Sequence, residues 1–429
     1  MSFRRSIAAM LTSASVVLAA LLAPSALLVP SASAEAAPYH PHTGAAFNNP
    51  LGGGPDNYRV LNVVQRAIDH AAPGSLIRIM SWNIMSRSVV YKLLRAQRRG
   101  VRVLALMDDS NRTVLPNPSY ARLHNGLIRQ NHSVQNKRRR SHARTCVNSC
   151  RGSRGQAHGK FFLFSKTGHR RDVLMEGSTN LTAAAATNQW NDIFTFVRNE
   201  RLYKFSADVF NQMWKDQPVR NPYREKTAGT VRMFFSPMQG KNYHGDRRLQ
   251  LLNRVHCHGA RHAGIGGHTV IRIAPDVIRN RRGMAVARRL RFLWANGCDI
   301  KLGYTVMGRD VHSFLRQSTR RGPIPMKHLV QDYNGDGEFD NYFHLKAMSI
   351  NGHVGKDASA HFVVNGSANI SGFAATSDEN SAIIRRKAPT LHYEGYINYW
   401  FDHFPESVPT TTAARRAPGF DPYAHVDMD

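Results

Sequence analysis

Apolar and polar positions alternate along the chain with two different periods, which predict strands and helices in turn. Residues 76–82 form a nearly continuous apolar run, as is typical of a buried strand. In residues 88–99 the apolar side chains recur every three to four positions, which predicts a helix with one buried face. Gly100 is a helix stop, and residues 101–107 form a second apolar run. The pattern predicts a βαβ unit with a right-handed crossover.

The same order of elements returns in the second half of the chain. Residues 270–275 and 298–304 read as strands, and residues 283–296 between them read as a helix that Gly297 ends. A less regular stretch follows each βαβ unit. An internal repeat of this length predicts two similar α/β lobes packed together.

Each half then carries the same pair of short motifs, H-x-K before one strand and G-S-x-N at the end of the next. The first copy consists of His158, Lys160, Ser178 and Asn180, and the second of His344, Lys346, Ser367 and Asn369. Because the same motifs follow in the same order in both halves, the alternative that two ordinary βαβ units are similar by chance is disfavoured. We therefore divide the chain into a signal peptide (1–34), an N-terminal extension (35–54), a first lobe (55–220), a linker (221–235), a second lobe (236–404) and a flexible tail (405–429).

The N-terminus has the three parts of a secretion signal. Arg4 and Arg5 precede an apolar stretch over residues 7–29, and residues 32–34 form an A-x-A cleavage site. The stretch is also near the length of a membrane span, so an uncleaved anchor is the alternative. We expect cleavage near Ala34 and a secreted protein.

Four cysteines fit an exported chain. An even number favours disulfides, and the sequence positions favour Cys146–Cys150 and Cys257–Cys298 among three possible pairings. The alternative is a zinc site, because three histidines surround Cys257 in HCHGARH. Their spacing matches no standard ligand pattern.

The charge is strongly positive. Lys and Arg number 58 and Asp and Glu number 29, and removal of residues 1–34 would delete two arginines and no acid, leaving the net charge at +27 instead of +29. Such a surface attracts phosphates in anionic lipid, nucleic acid or another acidic polymer. The alternative is that the charge serves only solubility.

The paired motifs supply two imidazoles, two ammonium groups and two amides. Residues i and i+2 of a strand share a face, so the His and Lys of each motif project together. One imidazole can attack phosphorus, and the other can protonate the leaving oxygen and then activate water. Lysine and asparagine side chains can hold the non-bridging oxygens. This set requires no metal or other cofactor for catalysis.

At this point the chain resembles the phospholipase D superfamily, which is defined by paired HxKxxxxD motifs with downstream GSxN. The resemblance covers residues from about 55 to 400. It implies a two-lobed α/β fold with pseudo-twofold symmetry, a mixed sheet flanked by helices in each lobe, and a phosphohistidine mechanism. It further implies that His158 is the nucleophile and His344 the general acid.

The sequence departs from the family pattern at the motif acids. Ser165 and Asn351 stand where HxKxxxxD has Asp. In the family an acid shortly after GSxN orients each histidine, and Asp192 and Glu379 lie at suitable distances, with Asp378 as a rival of Glu379. The missing motif acids are mainly structural in the family, so the resemblance still implies an active site.

An acidic stretch before the second motif predicts a calcium loop. The oxygen ligands would come from Asp332, Asn334, Asp336 and Asp340. Phe343 stands at the position where such loops have a bidentate Glu. Two alternatives therefore remain: a shorter loop that binds a structural calcium ion, or a solvated acidic turn.

Three functions compete. The first is a secreted phospholipase D hydrolase that acts on phospholipid at an anionic membrane surface, with head-group transfer to an alcohol as a second reaction. The second is an extracellular endonuclease of the same superfamily, and the third is a catalytically weak binder of anionic polymers or membranes. Two fused lobes need no protein partner, which predicts a monomer.

Overall fold

The computed structural model of the protein describes residues 39–114, 116–238, 245–409 and 420–427. The predicted signal peptide lies outside the described residues. Within these ranges, no helix combines the length and the apolar character that a membrane span requires.

The first lobe is built on a seven-stranded mixed sheet. Its strands are β1 (Gly44–Phe47), β2 (Leu76–Met80), β3 (Arg102–Asp108), β4 (His142–Cys146), β5 (Phe161–Thr167), β6 (Arg170–Gly177) and β7 (Asp192–Phe196). Its helices are α1 (Arg59–Asp69), α2 (Arg87–Arg98), α3 (Ser110–Thr113), α4 (Pro118–Gln130), α5 (Ala184–Thr187) and α6 (Glu200–Met213), with short 3-10 helices at Asn131–Ser133 and Lys137–Arg139. The strand order is β1-β7-β6-β5-β2-β3-β4.

The second lobe is built on a nine-stranded sheet and two small two-stranded sheets. Its strands are β8 (Arg224–Ala228), β9 (Val231–Phe235), β10 (Val255–His256), β11 (Val270–Pro275), β12 (Val277–Ile278), β13 (Asp299–Tyr304), β14 (Val306–Met307), β15 (Met326–His328), β16 (Val330–Gln331), β17 (Asn341–Tyr342), β18 (Lys346–Val354), β19 (Asp357–Gly366) and β20 (Asn380–Ile384). Its helices are α7 (Arg247–Asn253), α8 (Asn280–Ala295), α9 (Arg309–Arg316), α10 (Gly372–Thr376) and α11 (Lys387–His403). The large sheet runs β15-β13-β11-β18-β19-β20-β9-β8, with β10 paired to β18.

The two large sheets repeat one topology. The strands β2, β3 and β4 are parallel, as are β11, β13 and β15. In each lobe an antiparallel run follows, β5-β6-β7 in the first and β18-β19-β20 in the second. Gly100 and Gly297 follow α2 and α8 with φ of 87° and 98°, a conformation that favours glycine and ends a helix. The predicted α/β class with two lobes is confirmed.

Three segments differ from the sequence-based division. The predicted linker, residues 221–235, contains the hairpin β8–β9, and β9 pairs with β20 at the edge of the second sheet. Val231 and Met233 are buried while Arg232 between them is exposed, so this segment has the alternation of an ordinary strand. The N-terminal extension supplies β1, which pairs with β7. In the tail predicted to be flexible, residues 420–427 pack against the second lobe.

The two sheets face each other across a shared hydrophobic core. This core joins residues of both lobes, with α6 and α11 packed on the inner faces of the sheets. It contains many large aromatic side chains, among them Phe161, Trp190, Phe235, Phe343 and Tyr393. A separate core lies under the outer helices of each lobe. Burial of large aromatic surfaces between the sheets fixes one lobe against the other.

Both predicted disulfides are present, so the zinc alternative is wrong. Cys146–Cys150 closes a turn after β4, with 5.1 Å between the Cα atoms. Cys257–Cys298 joins the chain after β10 to the start of β13, with 4.5 Å between the Cα atoms.

We expect the two disulfides to differ in their contribution to stability. Cys257–Cys298 spans 41 residues and Cys146–Cys150 spans four. Loop-closure entropy predicts that replacing Cys257 and Cys298 by serine lowers the free energy of unfolding by about 4 kcal/mol. Replacing Cys146 and Cys150 by serine should lower it by about 2 kcal/mol. Guanidinium unfolding of both double variants measures this difference, and a larger loss for Cys146→Ser/Cys150→Ser would contradict it.

Candidate active site

The two H-x-K segments meet at the interface between the lobes, and each forms hydrogen bonds with the lobe to which it does not belong. The backbone N–H of His158 donates to the carbonyl oxygen of Asp378 at 3.0 Å. The N–H of His344 donates to the carbonyl oxygen of Trp190 at 3.1 Å. Each histidine therefore lies against the segment that follows GSxN in the other lobe.

Each lysine folds back on its own motif in the same way. Lys160 Nζ donates to the carbonyl oxygen of His158 at 2.8 Å, and Lys346 Nζ donates to that of His344 at 3.1 Å. All four side chains are at most 2% exposed. The repeated local geometry places two ammonium groups beside two imidazoles at a buried site between the lobes, here called the cavity.

Glu379 orients His158 from the second lobe. Nδ1 of His158 donates to Oε1 of Glu379 at 2.9 Å. The other carboxylate oxygen accepts from the hydroxyl of Ser367, the serine of the second GSxN, at 2.5 Å. The contact that the sequence suggested for Glu379 is present, and Nε2 of His158 is left facing the cavity.

Asn191 orients His344 from the first lobe. Nδ1 of His344 lies 2.7 Å from Oδ1 of Asn191, and the same oxygen accepts from the hydroxyl of Ser178 at 3.0 Å. The amide nitrogen of Asn191 donates to the carbonyl oxygen of Ala185, so its oxygen faces the ring. Nδ1 of His344 is therefore the donor, and Nε2 carries the free electron pair.

The two imidazoles differ in proton affinity because their partners differ. Burial lowers the pKa of His158, but Glu379 and the carboxylate of Asp427 outweigh burial and raise it to about 9. Burial and the neighbouring Lys346 lower the pKa of His344 to about 3. His158 therefore holds a proton at neutral pH and His344 does not.

Asp192 and Asp378 do not contact either histidine side chain. Asp192 follows Asn191 and accepts from the Asn365 amide at 3.0 Å and from the Tyr393 hydroxyl at 2.6 Å. It thereby joins the lobes without touching His344, which corrects the sequence-based prediction by one residue. Asp378 forms a buried ion pair with Arg151 at 2.8 Å.

The Arg151–Asp378 pair secures the crossing of the first H-x-K segment. Arg151 directly follows Cys150, so the Cys146–Cys150 disulfide constrains the backbone that carries it. Its guanidinium also donates to the carbonyl oxygens of Pro222 and Ser236. A buried charge with this many partners is stable only when the two lobes are docked.

The GSxN asparagines lie on the two sides of the cavity. Nδ2 of Asn180 is 3.4 Å from Oδ2 of Asp427. Oδ1 of Asn369 accepts from the backbone N–H of Val277 at 3.2 Å. The buried Nδ2 of Asn369 has no hydrogen-bond partner among the described residues, which leaves this donor for a ligand.

Two carboxylates in the cavity were missed by the sequence reasoning. Asp276 follows β11 directly, and its Oδ2 lies 2.9 Å from Nζ of Lys346 and 3.9 Å from Nε2 of His344. Burial raises the pKa of Asp276 to about 6. Asp427 lies near the C-terminus, and its Oδ2 is 3.4 Å from Nε2 of His344 and 3.9 Å from Nε2 of His158. No motif marks either residue.

The residues that replace the motif acids are used within their own lobes. Ser165 Oγ accepts from the N–H of Leu76 at 2.8 Å, which ties β5 to β2. Asn351 Oδ1 accepts from the N–H of Gly264 at 2.9 Å. Both side chains stabilise a strand and lie outside the cavity contacts, so the missing acids leave the paired His and Lys in place.

The acidic loop is organised by its own backbone. The carboxylate of Asp332 accepts from the N–H groups of Asn334, Gly335 and Gly337, and Asp340 accepts from that of Tyr333. Asn334 Nδ2 donates to Asp336 at 2.9 Å. Within the described ranges no three acidic, histidine or cysteine side chains are grouped closely enough to hold a metal ion. Calcium binding stays a prediction.

We expect Glu379→Gln to lower the pKa of His158. A folded-state pKa near 9, above the ordinary 6.5, means that this group contributes stability below pH 6.5 that is lost as pH rises through 9. The variant should therefore titrate at a lower pH and lose this pH-dependent stability. Imidazole nitrogen NMR of His158 measures the titration directly.

Asp402→Asn is the control for this experiment. Asp402 is an exposed carboxylate paired with Lys301, and it should leave the His158 titration unchanged. Retention of a pKa near 9 in Glu379→Gln would show that Glu379 does not set the protonation of His158.

Comparison with known proteins agrees with this geometry. The family model described as cardiolipin synthase, phospholipase D-like domain, matches residues 64–214, which include the first H-x-K and GSxN. The structure is similar to phosphatidylserine synthase from Haemophilus influenzae Rd KW20, with 12% identity, a TM-score of 0.54 and coverage of 80% of this chain and 84% of that chain. No curated protein matches the sequence.

Two further solved structures match the chain. Polyphosphate kinase from Porphyromonas gingivalis matches with 13% identity, a TM-score of 0.50 and coverage of 83% of this chain and 49% of that chain, so the chain spans about half the length of that enzyme. Nuc from Salmonella typhimurium, a phospholipase D family member, matches with 18% identity, a TM-score of 0.30 and coverage of 41% of this chain and 96% of that chain. The family match assigns residues 64–214 to the phospholipase D-like domains, and the two-lobed fold of the chain is similar to that of the Haemophilus enzyme.

Proposed function

We propose that the protein is a secreted phosphodiesterase of the phospholipase D type, which releases phospholipid head groups through a phosphohistidine intermediate. The observation that carries the proposal is the position of one anionic oxygen between two imidazoles. Oδ2 of Asp427 lies 3.4 Å from Nε2 of His344 and 3.9 Å from Nε2 of His158. A phosphoryl group at this place would have a nucleophile on one side and a proton donor on the other.

In the first step, we assign the attack on phosphorus to Nε2 of His158. The P–N bond forms as the P–O bond to the head group breaks, and His344 gives the leaving oxygen a proton. An imidazole that is phosphorylated at Nε2 and keeps its Nδ1 proton carries positive charge, which Glu379 at 2.9 Å would offset. Nδ1 of His344 is bonded to the neutral amide of Asn191 and not to a carboxylate, so a protonated His344 gives up its proton readily.

In the second step, His344 takes a proton from water, and the water oxygen displaces Nε2 of His158 from phosphorus. The products are phosphatidate and free His158. An alcohol in place of water would give head-group transfer by the same route. Lys160, Lys346, Asn180 and Asn369 would stabilise the non-bridging oxygens in both steps.

The protonation of His158 sets a requirement for the first step. A histidine with a pKa near 9 carries a proton at neutral pH and cannot attack. Asp427 is one of the two carboxylates that raise this pKa, so its departure would favour the neutral, nucleophilic form. The proton that leaves Nε2 of His158 would pass to Nε2 of His344, which gives the neutral nucleophile and the protonated acid that the first step needs.

Several observations support a lipid substrate and export. The matching family and the Haemophilus relative carry the names of phospholipid enzymes, cardiolipin synthase and phosphatidylserine synthase. The basic chain would bind an anionic membrane surface. Two disulfides suit an oxidising compartment. Both motifs meet within one chain, which supports a monomer without an obligate protein partner.

A nuclease is the second candidate because of one exposed basic loop. The short 3-10 helix Lys137–Arg139 exposes three consecutive basic side chains in the first lobe. Such a loop would bind the phosphates of a nucleic acid without sequence preference.

We expect His158→Ala and His344→Ala each to reduce head-group release from phosphatidylcholine vesicles by about a thousandfold or more, since each removes a group that makes or breaks a bond. His169→Ala is the matched control, because His169 lies exposed at the β5–β6 turn. The same four proteins are tested on plasmid DNA.

The outcomes separate the candidates. Release from vesicles that depends on both histidines supports the lipid proposal. Cleavage of plasmid without release from vesicles would overturn it in favour of a nuclease. Salt-sensitive binding of either substrate without turnover would instead support the binder.

A further inference from the structure

We propose that residues 420–427, here called the C-terminal segment, form an intramolecular inhibitor whose Asp427 carboxylate occupies the phosphate position of the active site. The inference rests on the proposed function only in naming the phosphoryl group as the ligand that is displaced. The segment would have to leave before a substrate could reach either histidine.

Asp427 has the contacts that a bound phosphate would need. Its Oδ2 lies within 3.4 Å of both Nε2 of His344 and Nδ2 of Asn180. Its backbone N–H donates to the hydroxyl of Tyr342 at 3.0 Å. Although burial opposes ionisation, the protonated His158 beside it holds the pKa of Asp427 well below its usual range. The cavity therefore holds an anion supplied by the chain itself.

The rest of the segment is anchored beside the cavity by packing. Val426 is buried against Val330 and Tyr342. The ring of Tyr423 lies 5.0 Å from that of Phe339, whose N–H donates to the carbonyl oxygen of Pro422 at 2.8 Å. These contacts bring the segment to the acidic loop and to β16–β17, so the position of Asp427 is built by several residues.

A contact between a histidine and a carboxylate adds to this anchor at the acidic loop. Nε2 of His425 lies 2.9 Å from Oε2 of Glu338. The chain before the segment reaches the same loop, because Val408 N–H donates to the carbonyl oxygen of Asp332 at 2.8 Å. The loop predicted to bind calcium thus holds the C-terminal region over the active site.

Steric exclusion explains why the contact inhibits. The two histidines are at most 1% exposed with the segment in place. An oxygen of Asp427 and a phosphoryl oxygen cannot both lie between the same Nε2 atoms. The apparent affinity for phosphate is therefore the affinity of the open site multiplied by the fraction of molecules in which the segment has left.

The test uses two full-chain variants and inorganic phosphate as the probe. Asp427→Ala removes the anion, and Val426→Ser loosens the anchor without changing charge. If the segment closes about nine in ten molecules, isothermal titration should show phosphate binding about tenfold more tightly to either variant than to the wild type. Glu406→Ala is the matched control, since Glu406 is an exposed acid of the chain before the segment.

Phosphate affinity and turnover together separate this proposal from the proposed function. Tighter phosphate binding by both variants supports the inhibitor, even if no variant releases head groups and the proposed function fails. Unchanged phosphate affinity in both variants overturns the inhibitor. Loss of turnover in Asp427→Ala with unchanged phosphate affinity also overturns it, because Asp427 would then act in catalysis.

Discussion

The active site depends on one exchange across the interface between the lobes. Each H-x-K segment leaves its own lobe and hydrogen-bonds through its histidine N–H to the segment after GSxN in the other. The side-chain partner follows from this crossing, Glu379 for His158 and Asn191 for His344. The shared aromatic core and the Arg151–Asp378 pair hold the lobes so that both contacts form together.

The exchange also makes two similar motifs chemically different. The serines of the two GSxN motifs act alike, since each donates to the group that orients a histidine. The acceptors are a carboxylate in one case and a neutral amide in the other. A pseudo-symmetric fold thereby gives its two histidines different proton affinities.

Features that depend on local pattern could be predicted from the sequence. Helical and strand periods, the glycine stops, the repeated H-x-K and GSxN motifs and the disulfides were of this kind. The sequence does not mark Asn191, because an acid is expected to orient the histidine and the first lobe has one residue more than the second between GSxN and this position. Asp276 and Asp427 were missed because only tertiary packing brings them to the cavity. The hairpin β8–β9 has the sequence character of a linker because its outer strand is mostly polar.

The most direct test of the account is to identify the histidine that becomes phosphorylated. His344→Ala is incubated with a phosphodiester whose p-nitrophenyl leaving group departs without a proton donor, and the protein is quenched in base and mapped by peptide mass spectrometry. The account predicts a phosphoryl adduct on His158 that accumulates, because its hydrolysis needs His344. An adduct on His344 in the converse variant His158→Ala, with none on His158, would contradict it.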